Sequence, residues 1–233
     1  MARLHKPKAG LWIRFCVLVI YPLDGLLFKI RWCNLQRVPA KGGVILAVNH
    51  VSYVDTILIA RFVWQSGRIP RFLIKASMFE KPFIGGVLRG AAQIPVRRGT
   101  ADASQSLHAA KEALDRGECV IIYPEGTMTH DPDWWPARAK TGVARLALLA
   151  PHAPVVPVGQ FGAQFTFDSL RKTVRPFPRK EVTVSVGEAV DLARFRDKEP
   201  TSELLHEMTD EIMWSITELV GEIRNEPPPP RLR

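Results

Sequence analysis

The sequence predicts an α/β fold: a single domain with a largely parallel or mixed central sheet flanked by helices, preceded by an N-terminal pair of helices in a membrane interface. One observation is the run Cys119-Val-Ile-Ile122. It follows a helical pattern with Ala103, Leu107, Ala110 and Leu114 on one face, ended by Gly117. A strand at Ile94 to Val96, this helix and this strand make a βαβ unit, which requires parallel pairing. A second is that Gly42-Gly43 precede a continuous apolar run, Val44 to Val48, the pattern of a strand buried on both faces. The third is size: 233 residues, 46% hydrophobic, suffice for one full core and are short for two. The expected division is residues 1–36 as the interfacial segment, 37–225 as the α/β domain and 226–233 as a disordered Pro-rich tail.

At the N-terminus, Arg3, Lys6 and Lys8 lead into Leu11 to Tyr21, then Pro22, then Leu23 to Trp32. A membrane span here would carry Arg14, Asp24 and Lys29, and a central charge costs ~2.5–3.5 kcal/mol on insertion scales. Pro22 and Asp24 also cut the apolar core a signal peptide needs, and no small-x-small cleavage site follows. Two short helices broken at Pro22 remain, lying in the interface with Trp12, Tyr21 and Trp32 at headgroup depth, or else packed on the domain.

Further along, Val54, Ile57, Leu58 and Phe62 give a helix to about Gln65, and Arg71 to Ile74 a strand ending at Lys75. Gly85, Gly86 and Gly90 loosen the next segment. Thr100 or Asp102 caps the helix of the βαβ unit. Val143, Leu146, Ala147 and Ala150 mark another helix and Ala153 to Val158 another strand. Glu181 to Val186 alternates charge with Val as an edge strand does. Leu204, Met208, Ile212, Ile216, Leu219 and Ile223 form the core stripe of a long helix capped near Thr201.

The formal net charge of +9 suits an anionic partner. The cations are dispersed and accompany no nucleic-acid-binding motif, so a membrane surface or a phosphorylated substrate is expected and nucleic acid is not. Cys16, Cys33 and Cys119 are odd in number and far apart, which fits a reducing compartment without structural zinc. His130, Asp131 and Asp133 lack a fourth ligand nearby, so no metal is expected. They share a polar loop with Trp134 and Trp135, a lid, a membrane contact or a packed loop.

Chemistry concentrates after the strand Val44 to Val48. His50 sits at a strand's carboxyl end, where open α/β sheets place ligands. Asp55 opens the following helix, so a tight turn can set its carboxylate on one imidazole nitrogen and leave the other to take a proton. With six His, ten Asp and three Asn in the chain, chance yields a His-x4-Asp preceded by Asn roughly 0.003 times, so Asn49 makes the pattern specific.

Asn49-His50-Val-Ser-Tyr-Val-Asp55 resembles the Asn-His-x4-Asp signature of the glycerolipid acyltransferases, typified by those acting on lysophosphatidic acid. Three further runs, between about residues 40 and 160, are similar to family motifs in order: Ile94-Pro-Val-Arg-Arg-Gly99, Tyr123-Pro-Glu-Gly-Thr127 and Val156-Pro-Val158. The resemblance implies His50 and Asp55 as catalytic and Asn49, Lys75, Arg97, Arg98, Glu125, Gly126, Thr127 and Lys140 as substrate-binding. Arg98 fills the position that binds the acceptor's phosphate, a task that suits a guanidinium fork; Arg97 stands where relatives often have Asp. Lys75 is implied as an oxyanion donor. Glu125 bonds the acceptor's glycerol or structures the turn, and Lys140 belongs to a Lys-x-Gly segment. Met128 replaces an Arg common in the family, removing one cation from the expected phosphate pocket.

The implied activity moves a fatty acyl group from a thioester, acyl-CoA or acyl-carrier protein, to lysophosphatidic acid, giving phosphatidic acid. No cofactor is needed. The expected setting is peripheral or monotopic, on anionic lipid at the cytoplasmic face of the plasma membrane. No Gly-x-Ser-x-Gly elbow exists, which favours direct transfer over a serine acyl-enzyme. The rivals are the same chemistry on glycerol-3-phosphate, a glycolipid or an amine-bearing lipid, and a non-catalytic lipid-binding module.

Overall fold

The structure is a computed structural model describing residues 10–97 and 103–231. Its helices are α1 (Leu11–Leu27), α2 (Asp55–Gln65), α3 (Ile84–Gly90), α4 (Ala103–Asp115), α5 (Gly142–Leu149) and α6 (Ser202–Arg224). Its strands are β1 (Phe28–Cys33), β2 (Val44–Val48), β3 (Pro70–Lys75), β4 (Ile94–Val96), β5 (Cys119–Ile122), β6 (Val155–Phe161), β7 (Phe167–Asp168), β8 (Thr173–Val174) and β9 (Lys180–Val186). Seven of these form one sheet in the order β1-β9-β6-β2-β5-β3-β4, while β7 and β8 pair apart as a small antiparallel hairpin. Neighbours in the sheet are parallel except β6 and β9. This is the mixed α/β sheet the sequence predicts.

Strand periodicity divides the core. In β2, Ile45 and Ala47 join Ala110 and Leu114 of α4, Val143 and Leu146 of α5, and Met208, Ile212 and Ile216 of α6. Val44, Leu46 and Val48 point the other way, to Leu58, Ile59 and Phe62 of α2. A strand covered on both faces has no polar side to show, hence the unbroken apolar run. The long helix α6 starts at Thr201, whose hydroxyl accepts from the Leu204 amide. It lies close on β6, where a Cβ at Gly159 would stand 2.7 Å from the Leu219 Cβ. At the strands' amino end the buried Arg68 guanidinium donates to the carbonyls of Pro39, Gly42 and Gly117, tying together the loops that feed β2 and β5.

The structure corrects four expectations. The helix pair is one helix: α1 continues past Pro22 for another turn, and the remainder of the second expected helix is β1. Phe28, Ile30 and Trp32 pack into the core while Lys29 and Arg31 do not, a period of two that marks a strand. The seven-stranded sheet therefore begins inside the segment 1–36. Second, β9 is internal, because β1 covers the side its alternation leaves open. Third, the glycine-rich segment forms α3, with Gly85 packed so tightly that a Cβ would strike the Phe79 carbonyl. Fourth, the tail is placed: Arg231 reaches Glu211 at 3.3 Å and lies over the Trp214 ring, so residues 226–231 turn back along α6. The caps expected at Thr100 or Asp102 lie outside the described residues.

Candidate active site

Adjacent strands β2 and β5 send their connections in opposite directions, β2 through α2 to β3 and β5 through α5 to β6. Their carboxyl ends thus border the crevice that doubly wound sheets use for ligands. His50 emerges there. Its Nδ1 lies 3.0 Å from Asp55 Oδ2, and that same oxygen accepts the amides of Val51 at 2.7 Å and Ser52 at 2.8 Å. Asp55 is in the first turn of α2 and fully buried, at the positive end of the helix. With Nδ1–H given to Asp55, a neutral imidazole holds its lone pair at Nε2. The ring stacks on Tyr123 at 4.3 Å between centroids, and Tyr123 in turn stacks on Phe72. The hydroxyl of Tyr123 stays protonated, burial pushing it well above its usual range with the Asp55 charge adding to this.

The loop after β5 clamps His50 by its backbone. Glu125 Oε1 accepts the His50 amide at 2.8 Å, Oε2 accepts the Ala137 amide at 2.9 Å, and the Thr129 amide donates to the His50 carbonyl at 2.7 Å. Glu125 is buried, and burial pushes its carboxyl up to about 8; the two amides oppose the shift and the charge of Asp55 adds to it. Of its two expected roles, the contacts are those of the turn. Gly126 supports the same turn with φ +70°, a conformation that favours glycine.

Asn49 is corrected from a substrate contact to a brace. It is fully buried, its amide nitrogen donates to the Gln160 carbonyl at 3.0 Å, and its oxygen accepts the Gln160 amide at 2.8 Å. The Gln160 side chain returns a bond to the Asn49 carbonyl. Thr127 and Lys140 are exposed beside the dyad loop, the Lys140 stem running past Gly126. Lys75 and Arg97 are exposed at the carboxyl ends of β3 and β4, on the same rim but two and three strands from β2. That is about 10 and 14 Å of lateral separation. Arg98 lies outside the described residues.

The tryptophan loop is a packed loop, which corrects its exposed look. Trp134 is buried, Trp135 lies under the Arg224 guanidinium, and Asp131 accepts the amides of Asp133 and Trp135. Tyr123, Gln160 and Thr129 were not legible as site residues. Gln160 carried a signal, a polar residue closing the apolar strand Val155 to Phe161, which a buried partner has to satisfy.

Comparison with known proteins places this geometry. A family model described as Acyltransferase matches residues 29–160. The 1-acyl-sn-glycerol-3-phosphate acyltransferase of Bacillus subtilis (strain 168) is 26% identical over 213 residues, covering 90% of this chain and 98% of that protein. The N-acylphosphatidylethanolamine synthase of Arabidopsis thaliana is 25% identical over 211 residues, covering 82% and 72%. The crystal structure of the 1-acyl-sn-glycerophosphate acyltransferase of Thermotoga maritima superposes with a TM-score of 0.68 at 21% identity, over 93% of this chain and 81% of that one, and so shares the fold.

Proposed function

The chain belongs to the acyltransferase family, and from that premise we propose that it acylates lysophosphatidic acid from a thioester donor, acyl-CoA or acyl-carrier protein, at a membrane surface. The observation that carries the reading is the His50 to Asp55 contact of 3.0 Å at the rim of the crevice. Nε2 takes the proton of the acceptor hydroxyl as its oxygen attacks the thioester carbonyl. The tetrahedral intermediate then expels the thiolate, which recovers the proton from the imidazolium. Such base catalysis contributes about 10²–10⁴-fold, and amides or cations at the rim, Lys75 among them, stabilise the oxyanion. Arg98 serves the acceptor's phosphate, and Arg97, Thr127 and Lys140 supply further substrate contacts.

Helix α1 supports the membrane setting. Leu11, Trp12, Phe15, Leu18, Val19, Leu23 and Leu26 are exposed, with Phe83 and Ile84 beside them, while the one carboxylate, Asp24, faces inward. A helix with its apolar face outward fits an interface. Among the described residues no helix is long and apolar enough to cross a membrane, which supports attachment to one leaflet. Thioester donors and three free cysteines fit the cytoplasmic face of the plasma membrane.

A second acceptor class, an amine-bearing lipid, is favoured by Met128 in place of the family arginine and by the N-acylphosphatidylethanolamine synthase relative. The test is incubation with acyl-CoA or acyl-carrier protein and a panel of lysolipids, with products read by mass. Lysophosphatidate is the expected acceptor. Arg98→Ala is expected to raise its KM roughly ten- to a hundredfold while sparing the donor's. Preference for a neutral or amine-bearing lysolipid refutes the phosphate reading.

A further inference from the structure

Residues 165–180, which carry β7 and β8, sit against the turn that holds His50 and Asp55. Ser52 Oγ donates to the Phe167 carbonyl at 2.8 Å, Ser169 Oγ to the Val51 carbonyl at 3.5 Å, and the Tyr53 ring meets Phe167 edge-on at 5.3 Å. Two properties of this segment bear on a partner outside the fold. Phe165, Val174 and Phe177 are each at least half exposed, and so is Tyr53 beside them. Arg171, Lys172, Arg175, Arg179 and Lys180 share the segment with a single acid, Asp168, which pairs with Arg171 at 3.0 Å.

The chemistry of the patch selects its partner. Cations interleaved with exposed aromatics match an anionic bilayer surface, where rings sit at headgroup depth and the cations meet phosphates. An acidic protein would answer the charges but leave the exposed Phe and Val side chains without a counterpart. The segment also abuts the other apolar face, since Arg179 Nη2 donates to the carbonyl of Phe28, the residue that follows α1. We infer that the β7–β8 segment with Tyr53 is a second bilayer contact, for anionic phospholipid, that works with α1 to set the His50 rim against the membrane. This deepens the proposed function and rests on its lipid acceptor.

The test uses the full chain with Lys172→Gln, Arg175→Gln and Arg179→Gln together, and separately Val174→Ser with Phe177→Ser, circular dichroism checking the fold of each. Partition is measured on vesicles of phosphatidylcholine with and without phosphatidylglycerol. A basic side chain near an anionic surface contributes roughly fivefold, so the triple variant is expected to lose about a hundredfold on anionic vesicles and little on neutral ones. The serine pair is expected to lose on both. Transfer to lysophosphatidate held in anionic vesicles falls in parallel, while transfer to a monomeric short-chain lysophosphatidate is unchanged. Unaltered partition on anionic vesicles overturns the inference. So does equal loss with the monomeric acceptor, which assigns the cations to the acceptor, or loss confined to acyl-carrier protein as donor, which assigns the patch to a protein. Partition is read without turnover, so a chain that acylates no lysolipid overturns the proposed function and not this contact.

Discussion

Two buried aspartates set the catalytic turn apart from α1. Asp55 receives three donors on one oxygen, two of them amides of its own turn, and that turn is bound from outside by Glu125 and Thr129. Asp24 meets the Arg61 guanidinium at 4.0 Å, with no hydrogen bond to its Oδ2, and burial pushes its carboxyl up to about 6, Arg61 opposing. The first carboxylate is met by rigid dipoles that arrive with the fold. The second is a loosely answered charge under a helix whose outer face is apolar. The difference teaches that the turn carries its organisation within the domain, whereas α1 is completed by what covers it.

The sharpest way to break that comparison is at the dyad. His50→Ala is expected to lower single-turnover transfer by ~10²–10⁴-fold with an unchanged circular dichroism spectrum. Substantial activity in the folded variant would remove His50 as the base.

Asp55→Asn comes next. It keeps an oxygen for the amides of Val51 and Ser52 but removes the charge that fixes the imidazole tautomer, so a loss of about a hundredfold is expected with only modest destabilisation. Equal rates for the Asn variant and the parent would show that the carboxylate serves the turn alone.

Glu125→Gln sharpens the pH side. The folded carboxyl keeps its proton up to about 8 and the ordinary one up to 4.5. Below 4.5 both states are protonated. Between these values the unfolded chain releases a proton that the folded one retains, so stability falls as pH rises, by at most ~1.4 kcal/mol per unit. Urea unfolding across pH 5 to 8 is expected to show a steeper decline for the parent than for the Gln variant, which also loses about tenfold in rate as one amide bond to the loop is lost.

The smaller effects belong to α1. Leu11→Ser, Leu18→Ser and Leu26→Ser together change exposed residues only, so the expected result is roughly tenfold weaker vesicle partition with unchanged unfolding in solution. Asp24→Asn is expected to flatten the pH dependence of stability between about 4 and 6 and to leave turnover on a monomeric acceptor intact. The sign matches that of Glu125: the folded carboxyl has the higher pKa, so stability is lost as pH rises through the window. An identical pH slope in parent and variant would mean Arg61 fully answers the charge.

Much of this was legible in residues near one another. The apolar run Val44 to Val48, the Asn-His-x4-Asp spacing and the stripe of α6 are local patterns, and local geometry turns them into a strand, a His–Asp contact and a packed helix. β1 was misread because Pro22 and the apolar count drew attention to helix, while its alternation, Phe28, Ile30 and Trp32 against Lys29 and Arg31, was present in the chain. The internal place of β9 had no local sign, since its second neighbour lies about 150 positions away.

By itself the sequence determined the α/β class, the place of His50 beside Asp55, and the family signature, because each depends on periodicity or on spacings within a single turn. Tertiary structure alone decided the division of labour around them. Asn49 became a brace because Gln160, 111 residues away, brings matching donors and acceptors to a fully buried site. Glu125 became a backbone clamp because the amides of His50 and Ala137 converge on it from two different segments. Which polar groups meet in the interior is set by how strands and loops are ordered across the sheet, and the cost of leaving any of them unpaired then fixes their roles.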